Sequence, residues 1–349
     1  MAKILVAMSG GVDSSVAAAL LAKQGHEVTG VTMKLLDKSA SDASSQRSCC
    51  GFDSSRDAKL VADAIGIPHY TVNAVEVFSE TVMRDFFAEY HNGRTPNPCV
   101  RCNRFVKFDF LMKKADELGC EFLATGHYAK REGRRLYKGA DEKKDQSYFL
   151  YVIYEAAIER ILFPLGGRTK TEIRGIASKL GLVTAKKPES QDICFVENGK
   201  YFAALEPEEG HSSGPIVDCS GKILGRHHGI FRYTVGQHKG LGSLGRKMFV
   251  KEIRPADNTV VVGLEDELFA RKICLEDVVI AGGYVIDSKE EYDIQVRYRG
   301  KPVKGLVSSS GNSLAVSLAE PVRAIAPGQS AVVYDGEMVV GGGVIDKAE

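Results

Sequence analysis

The stretch Ser9-Gly10-Gly11-Val12-Asp13-Ser14-Ser15 concentrates glycines, hydroxyls and a carboxylate at the end of an apolar run. The successive N–H groups of Ser9, Gly10 and Gly11, with a helix N-terminus behind them, make a concave anion site. The glycines let the backbone approach phosphate oxygens without a Cβ in the way. Ser9, Ser14 and Ser15 add hydroxyl donors, and Asp13 is placed to orient a metal-bound pyrophosphate or to cap the helix. Gly-Gly alone would be an ordinary β–α turn. The full string after a first strand points instead to a nucleotide phosphate chain. No Gly-Lys-Ser/Thr follows, so this is not a Walker loop. A second glycine cluster, Gly240-Leu241-Gly242-Ser243-Leu244-Gly245, fits dinucleotide spacing. Its flanks, Tyr233-Thr234-Val235 and Lys247–Ile253, offer no following helix, so a Rossmann reading is rejected.

Cysteines form the second chemical group. Asn97-Pro98-Cys99-Val100-Arg101-Cys102-Asn103 sets two thiols three residues apart beside a proline turn, and Ser190-Gln191-Asp192-Ile193-Cys194-Phe195 presents a third far downstream. A lone CxxC fits zinc, redox chemistry or coincidence. A zinc site would need a second pair, and no matching CxxC follows. Arg101, Arg104 and Lys107 favour thiolate character nearby. Cys120 and Cys274 sit in apolar contexts and read as small core residues. Cys219 lies in a turn-like stretch, and Cys49-Cys50 is a vicinal pair with no evident chemistry.

The elements that must position these groups follow from periodicity. Residues 3–8 read as a buried strand, Val12–Lys23 as a helix stopped by Gly25, and His26–Met33 as a second strand. Ser39–Ser48 reads as a mobile loop. Helix and strand then alternate through Arg56–Ile65, Tyr70–Val72, Glu76–Tyr90, Asp109–Leu118 and Phe122–Thr125. That alternation predicts a doubly wound parallel α/β sheet. After about residue 205 the texture becomes short β stretches: Lys247–Ile253, Thr259–Val262, Asp293–Tyr298, Leu314–Leu318, Ser330–Tyr334 and Met338–Val340. Those predict small all-β domains including a C-terminal β-barrel, with a soft break near 275–285. The expected domains are 1–205, 206–275 and 276–349.

A chain of 349 residues with 44% hydrophobic residues can bury such cores. Its 46 basic and 45 acidic residues leave a net charge of +1, so any nucleic-acid surface must be local. Lys130-Arg131 with Arg134-Arg135 is one local basic cluster, although charge runs are usually solvated faces. No apolar run approaches a membrane span. The chain enters a strand pattern at once, with no small-residue cleavage site, so the expected location is the cytoplasm.

The loop resembles that of the PP-loop pyrophosphatase superfamily, which implies ATP cleaved between its α and β phosphates. The whole chain resembles the bacterial tRNA-uridine 2-sulfurtransferases. The resemblance runs through Ser9–Ser15, Cys49-Cys50-Gly51, Thr95–Pro98, Cys102-Asn103, Ala124–Tyr128 and Lys144–Tyr148. It continues through Ser190–Phe195, Tyr233–Gln237 and Pro327-Gly328-Gln329.

That resemblance implies ATP with Mg²⁺, adenylation of the uracil 2-oxygen of a wobble uridine in tRNA of the Lys, Glu or Gln type, and then sulfur transfer. It assigns ATP to Ala7, Met8, Ser9, Gly10, Gly11, Val12, Asp13, Ser14, Met33 and Gly126. It assigns tRNA to Asn97, Pro98, Cys99, His127, Lys144, Asp145, Gln146, Arg297, Tyr298 and Gln329. Cys194 would carry a persulfide, and Cys102 would act as nucleophile, releasing product by a disulfide with Cys194 or reducing the persulfide beforehand. The donor would be a cysteine desulfurase, a relay protein or sulfide. One departure stands out: the best-known form of the family has Asn-Pro-Asp where this chain has Cys99. Cys99, Cys102 and Cys194 together match the ligand set of a 4Fe–4S cluster with one open iron, so persulfide and cluster routes both stay open. His238 stands where the family often has arginine. Two other readings remain: another PP-loop adenylating enzyme, or a non-catalytic ATP-sensing RNA-binding protein.

Overall fold

A computed structural model describes residues 1–36, 52–155, 157–189, 193–195 and 213–349. The Ser-rich stretch, Cys49-Cys50 and residues 190–192 lie outside the described residues. The chain divides into two compact units. The first comprises Met1–Met83, Pro98–Glu197 and Glu337–Val339; the second comprises Arg84–Asn97, Asn198–Gly336 and Val340–Glu349.

In the first unit, β1 (Lys3–Ala7), α1 (Val12–Lys23), β2 (Glu27–Lys34), α2 (Phe52–Ile65) and β3 (His69–Asn73) open the chain, and β4 (Phe122–Ala124) follows. After the hairpin β5 (Ala129–Glu132) and β6 (Arg135–Lys138) comes β7 (Ile161–Leu162). The parallel sheet runs β3-β2-β1-β4-β7. The winding direction therefore reverses between β1 and β4, and the crevice beyond their C-terminal ends is where such sheets bind ligands. The loops that begin at Met8, after β1, and at Thr125, after β4, lie at that end of the sheet.

Ile4 and Val6 on β1 are fully buried, as are Val16, Ala17 and Ala18 on α1. Ala58, Val61 and Ala62 on α2, with Ile173 and Ala177 of a later helix, complete that core. Their i, i+3, i+4 spacing is the apolar stripe a helix needs to cover a sheet. A continuous helical stretch runs from Pro98 to Glu117 and contains a π-helical segment, Cys102–Phe110. Such i→i+5 turns are uncommon and often occur at functional sites.

In the second unit, β8 (Gly214–Asp218), β9 (Ile223–His227), β10 (Phe249–Arg254) and β11 (Thr259–Gly263) form a sheet of order β10-β11-β8-β9. Val250, Val260 and Val262 fill its core. The remaining strands are β12 (Phe269–Ile280), β13 (Glu291–Gln295), β14 (Val303–Ser310), β15 (Ser313–Arg323), β16 (Ser330–Asp335) and β17 (Met338–Ala348). They run β12-β15-β14-β13-β16-β17, and β17 pairs back onto β12, closing a barrel. Leu314, Val316 and Leu318 face inward on β15 while Ala315 and Ser317 face out, the period-2 alternation of a half-buried strand.

Three sequence expectations need correction here. Cys274 is exposed, not a core residue. It sits between inward-facing Ile273 and Leu275, so strand alternation sends it out. The strand expected over Asp293–Tyr298 stops at Gln295, because the chain turns: Gly300 N–H donates to Arg297 O at 3.0 Å and Arg299 has φ of +59°. β12 crosses the start of the window where a break was expected; its register shifts between Glu276 and Val279, where Asp277 has φ of +48°. That is a bulge inside a strand.

Candidate active site

The loop after β1 is held by its own hydroxyls. Ser9 N–H donates to Ser14 Oγ at 3.1 Å, and the Ser14 and Ser15 hydroxyls donate to Gly11 O at 3.1 and 2.8 Å. Gly10 has φ of +67°, and a Cβ there would run into the Ser54 backbone on α2. Two independent constraints thus require glycine. Gly126, in the loop after β4, is held equally close: a Cβ would lie 2.7 Å from Ser14 N. The two crevice loops therefore meet backbone to backbone at the start of α1. Met33 is half-buried near the C-terminal end of β2.

Asp13 is the centre of a charged network. It accepts from the Tyr128 hydroxyl at 2.7 Å, and Lys170 Nζ donates to both its oxygens at 2.8 and 2.7 Å. Lys170 opens the helix Lys170–Lys179, whose start is fixed by a capping box between Thr169 and Glu172. Its ammonium also lies 3.1 Å from Glu189, which pairs with Lys144 at 2.6 Å. Burial pushes the Glu189 carboxyl up, but the hydrogen bonds from Lys144 and Lys170 more than offset this and hold it below its usual range. Burial and the neighbouring Asp13 carboxylate push the Tyr128 phenol far up, so it stays a neutral donor. Lys187 Nζ donates to Gly10 O at 3.0 Å and to Asp57 at 2.5 Å. Lys170, Lys187, Tyr128 and Glu189 were not singled out from the sequence. The Thr169-Lys170-Thr171-Glu172 capping signature could have flagged Lys170; Lys187 carries no local signal.

The cysteine region is built differently. Cys99 is exposed, Cys102 is buried and Cys194 is half-buried. Cys102 packs with Leu35, Ala74, Phe78, Val82 and Val106, and Cys194 and Phe195 pack against that same apolar cluster. The Phe78 and Phe195 rings meet edge to face at 5.5 Å. Cys102 and Cys194, nearly a hundred residues apart in sequence, are thereby brought to one place. Among the described residues no three His, Cys, Asp or Glu side chains are grouped as metal ligands. Cys99, Cys102 and Cys194 are accordingly not part of such a group here.

Residues assigned to tRNA by resemblance divide by their partners. Asp145 accepts from Gly139 N–H at 2.8 Å and from the Ser147 hydroxyl at 2.7 Å. Gln146 exchanges two hydrogen bonds with the Tyr128 backbone, at 3.0 and 2.9 Å. His127 is buried, its Nδ1 2.8 Å from Thr125 Oγ1; burial holds its pKa well below 6.5. In the second unit, Gln329 Nε2 donates to Thr95 O and Pro96 O, both at 3.0 Å, so it fixes the chain just before Asn97. Arg94 beside it is ion-paired with Glu89, Glu276 and Asp346. Arg297 is exposed and Tyr298 half-exposed on the turn after β13. Pro98 is buried and Asn97 half-buried. The basic hairpin residues Lys130 and Arg134 pair with Glu337 and Glu159.

Comparison with known proteins gives the family. The family model described as tRNA methyl transferase HUP domain matches residues 2–198. The tRNA methyl transferase PRC-barrel domain matches 203–264, and the aminomethyltransferase beta-barrel domain matches 270–345. The tRNA-specific 2-thiouridylase of Carboxydothermus hydrogenoformans is 45% identical, with 99% of this chain and 98% of that protein aligned. The corresponding protein of Geobacter metallireducens is 46% identical over 99% of this chain and 97% of its own length. That of Clostridioides difficile is 42% identical over 99% and 98%. A nucleotide-type loop at the switch point, two distant cysteines in one cluster and end-to-end similarity lead to one conclusion: the chain belongs to the bacterial tRNA-specific 2-thiouridylases, the tRNA-uridine 2-sulfurtransferases of the PP-loop superfamily.

Proposed function

We propose that this protein 2-thiolates the wobble uridine of tRNA of the Lys, Glu or Gln type in the cytoplasm, activating the uracil 2-oxygen with ATP and delivering sulfur through Cys194. The observation that carries this reading is the presence, in one folded unit, of the Ser9–Ser15 loop and of Cys102 and Cys194 in a shared apolar cluster.

Exchanging oxygen for sulfur requires turning the carbonyl oxygen into a leaving group. The uracil 2-oxygen attacks the α-phosphorus, the bond to pyrophosphate breaks, and pyrophosphate departs. The N–H groups at the start of α1 face the phosphates, and Met33 and Gly126 border the adenine. Mg²⁺ characteristically binds through one or two carboxylates plus substrate phosphates; Asp13, the carboxylate at the cradle, suits it, and the ion would neutralise phosphate charge. The terminal sulfur of a Cys194 persulfide then attacks C2, and AMP leaves with the original oxygen. Cys102 attacks Cys194 Sγ, closing a Cys102–Cys194 disulfide and releasing the thiouridine. The persulfide sulfur comes from a cysteine desulfurase or relay protein. Because Cys99, Cys102 and Cys194 do not form a ligand set among the described residues, no step is routed through a cluster.

The base must leave its stack to react, with Asn97, Pro98 and Cys99 beside it. Arg297 and Tyr298 on the barrel offer a cation and an aromatic face to RNA. Lys144 and His127 are the corresponding RNA positions that the family resemblance assigns in the first unit. Asp145, Gln146 and Gln329 act through the backbone they hold.

The test combines enzyme, unmodified tRNA and ATP and measures pyrophosphate and 2-thiouridine. RNA-dependent pyrophosphate is expected. Binding of tRNA without pyrophosphate would indicate an ATP-sensing RNA-binding protein. Pyrophosphate with a different acceptor would indicate another adenylating enzyme.

A further inference from the structure

The adenylation reaction has a charge problem that the Ser9–Ser15 loop does not solve alone. Departing pyrophosphate gathers several negative charges, and phosphoryl-transfer enzymes answer this with positioned cations. The loop Ser9-Gly10-Gly11-Val12-Asp13-Ser14-Ser15 contains no lysine or arginine. The cations must arrive from elsewhere in the unit.

Two ammonium groups reach the loop itself, one at each end. Lys170 Nζ lies 2.8 and 2.7 Å from the Asp13 oxygens, and its side chain is only 10% exposed. Lys187 Nζ lies 3.0 Å from Gly10 O. Each is also held by a carboxylate outside the loop: Glu189 at 3.1 Å for Lys170, and Asp57 at 2.5 Å for Lys187. A lysine buried this far normally exists only where a charge partner is built for it. Here the local partners make a resting pair beside a glycine-rich loop at the start of a helix, a type of site that suits an anion.

We infer that Lys170 and Lys187 are the cationic ligands of the β- and γ-phosphates of ATP, flanking the loop and exchanging part of their pairing with Asp13 and Asp57 for phosphate oxygens when the nucleotide enters. This deepens the proposed function and rests on its assignment of ATP to the loop. Asp13 is thereby released toward the phosphates' counter-ion. Lys170 is aimed by the capping box that fixes its helix start, and Lys187 by its bond to Gly10 O. The α-phosphate and adenosine are left to the loop backbone, Met33 and Gly126.

That division gives a readout independent of thiolation. The full-length protein is titrated calorimetrically with ATP and, separately, with AMP, both with Mg²⁺ and without tRNA. Lys170→Met and Lys187→Met are each expected to weaken ATP about tenfold or more, the scale of one charge-assisted hydrogen bond. AMP affinity should change by less than about threefold, because AMP carries neither distal phosphate. Equal losses for ATP and AMP, or an unchanged ATP affinity, would overturn the inference. Thermal melting checks the fold of each variant. Should Lys170→Met fail to fold, Lys187→Met carries the same comparison, since that side chain is 32% exposed. A wild-type protein that binds ATP but does not thiolate tRNA would sink the proposed function and leave this assignment standing; one that binds no ATP would sink both.

Discussion

The two chemical centres of the first unit are built to opposite plans. The Ser9–Ser15 loop is over-determined: hydroxyls bond to its backbone, Gly10 and Gly126 leave no room for a Cβ, and Asp13 is pinned by Tyr128 and Lys170. The cysteine region is packed into an apolar cluster, with Cys102 buried, Cys194 half-buried and Cys99 exposed. A satisfied polar network rigidifies and specifies one arrangement, whereas apolar contacts are non-directional. On the proposed function, the difference means that the ATP-activating loop is organised before substrate arrives. On the same proposal Cys194 must meet a donor, a base and Cys102 in turn.

The contrast can be broken at several points. The largest effect falls on Asp13→Asn, which removes the charged centre of the rigid side. RNA-dependent pyrophosphate release should fall about 10²–10³-fold, the usual cost of deleting one preorganised electrostatic group. Loss of less than tenfold in a quenched-flow assay would show that the network is not organised for activation. Next, Gly10→Ala strains a left-handed backbone and drives a methyl into the Ser54 backbone. Denaturant unfolding should show about 2–4 kcal/mol of lost stability, and a neutral result would mean that the loop is as plastic as the cysteine cluster.

A smaller effect comes from pH. His127 is kept neutral by burial, with its pKa well below 6.5. The unfolded chain therefore takes up a proton that the folded chain refuses. The contribution is fully present above about pH 6.5 and is lost as pH falls, at up to about 1.4 kcal/mol per unit. Thermal melts of wild type and His127→Asn between pH 7.5 and 5 should diverge in slope; parallel curves would remove His127 from the rigid side. The smallest effect is expected at Cys274→Ser, an exposed barrel thiol, which should stay within about 0.5 kcal/mol and leave 2-thiouridine unchanged. A loss of thiolation there would place a sulfur carrier outside the cluster that holds Cys102 and Cys194.

The same contrast governs what could be read from the sequence. The Ser9–Ser15 string and the helix from Val12 to Lys23 were legible because glycine, hydroxyl and apolar periodicity are local signals. The parallel sheet was legible from alternation, although sheet order came only from the fold. Cys274 was misread because apolar neighbours in sequence become alternate faces in a strand. The convergence of Cys102 with Cys194 on the Phe78 cluster leaves no trace in spacing and entered through family resemblance alone. Lys170 and Lys187 were missed for the same reason, since their partners Asp13 and Gly10 lie over 150 residues away in sequence. Asp145, Gln146 and Gln329, expected at RNA, also hold backbone of their own unit.

On the proposed function, activation by ATP is built independently of Cys194, the sulfur carrier. The direct measurement is a single-turnover reaction of Cys194→Ser with unmodified tRNA and ATP, scored for pyrophosphate and, by nucleoside mass spectrometry, for 2-thiouridine. Pyrophosphate comparable to wild type with no 2-thiouridine is the predicted result. Undiminished 2-thiouridine, or loss of pyrophosphate together with sulfur, would contradict it.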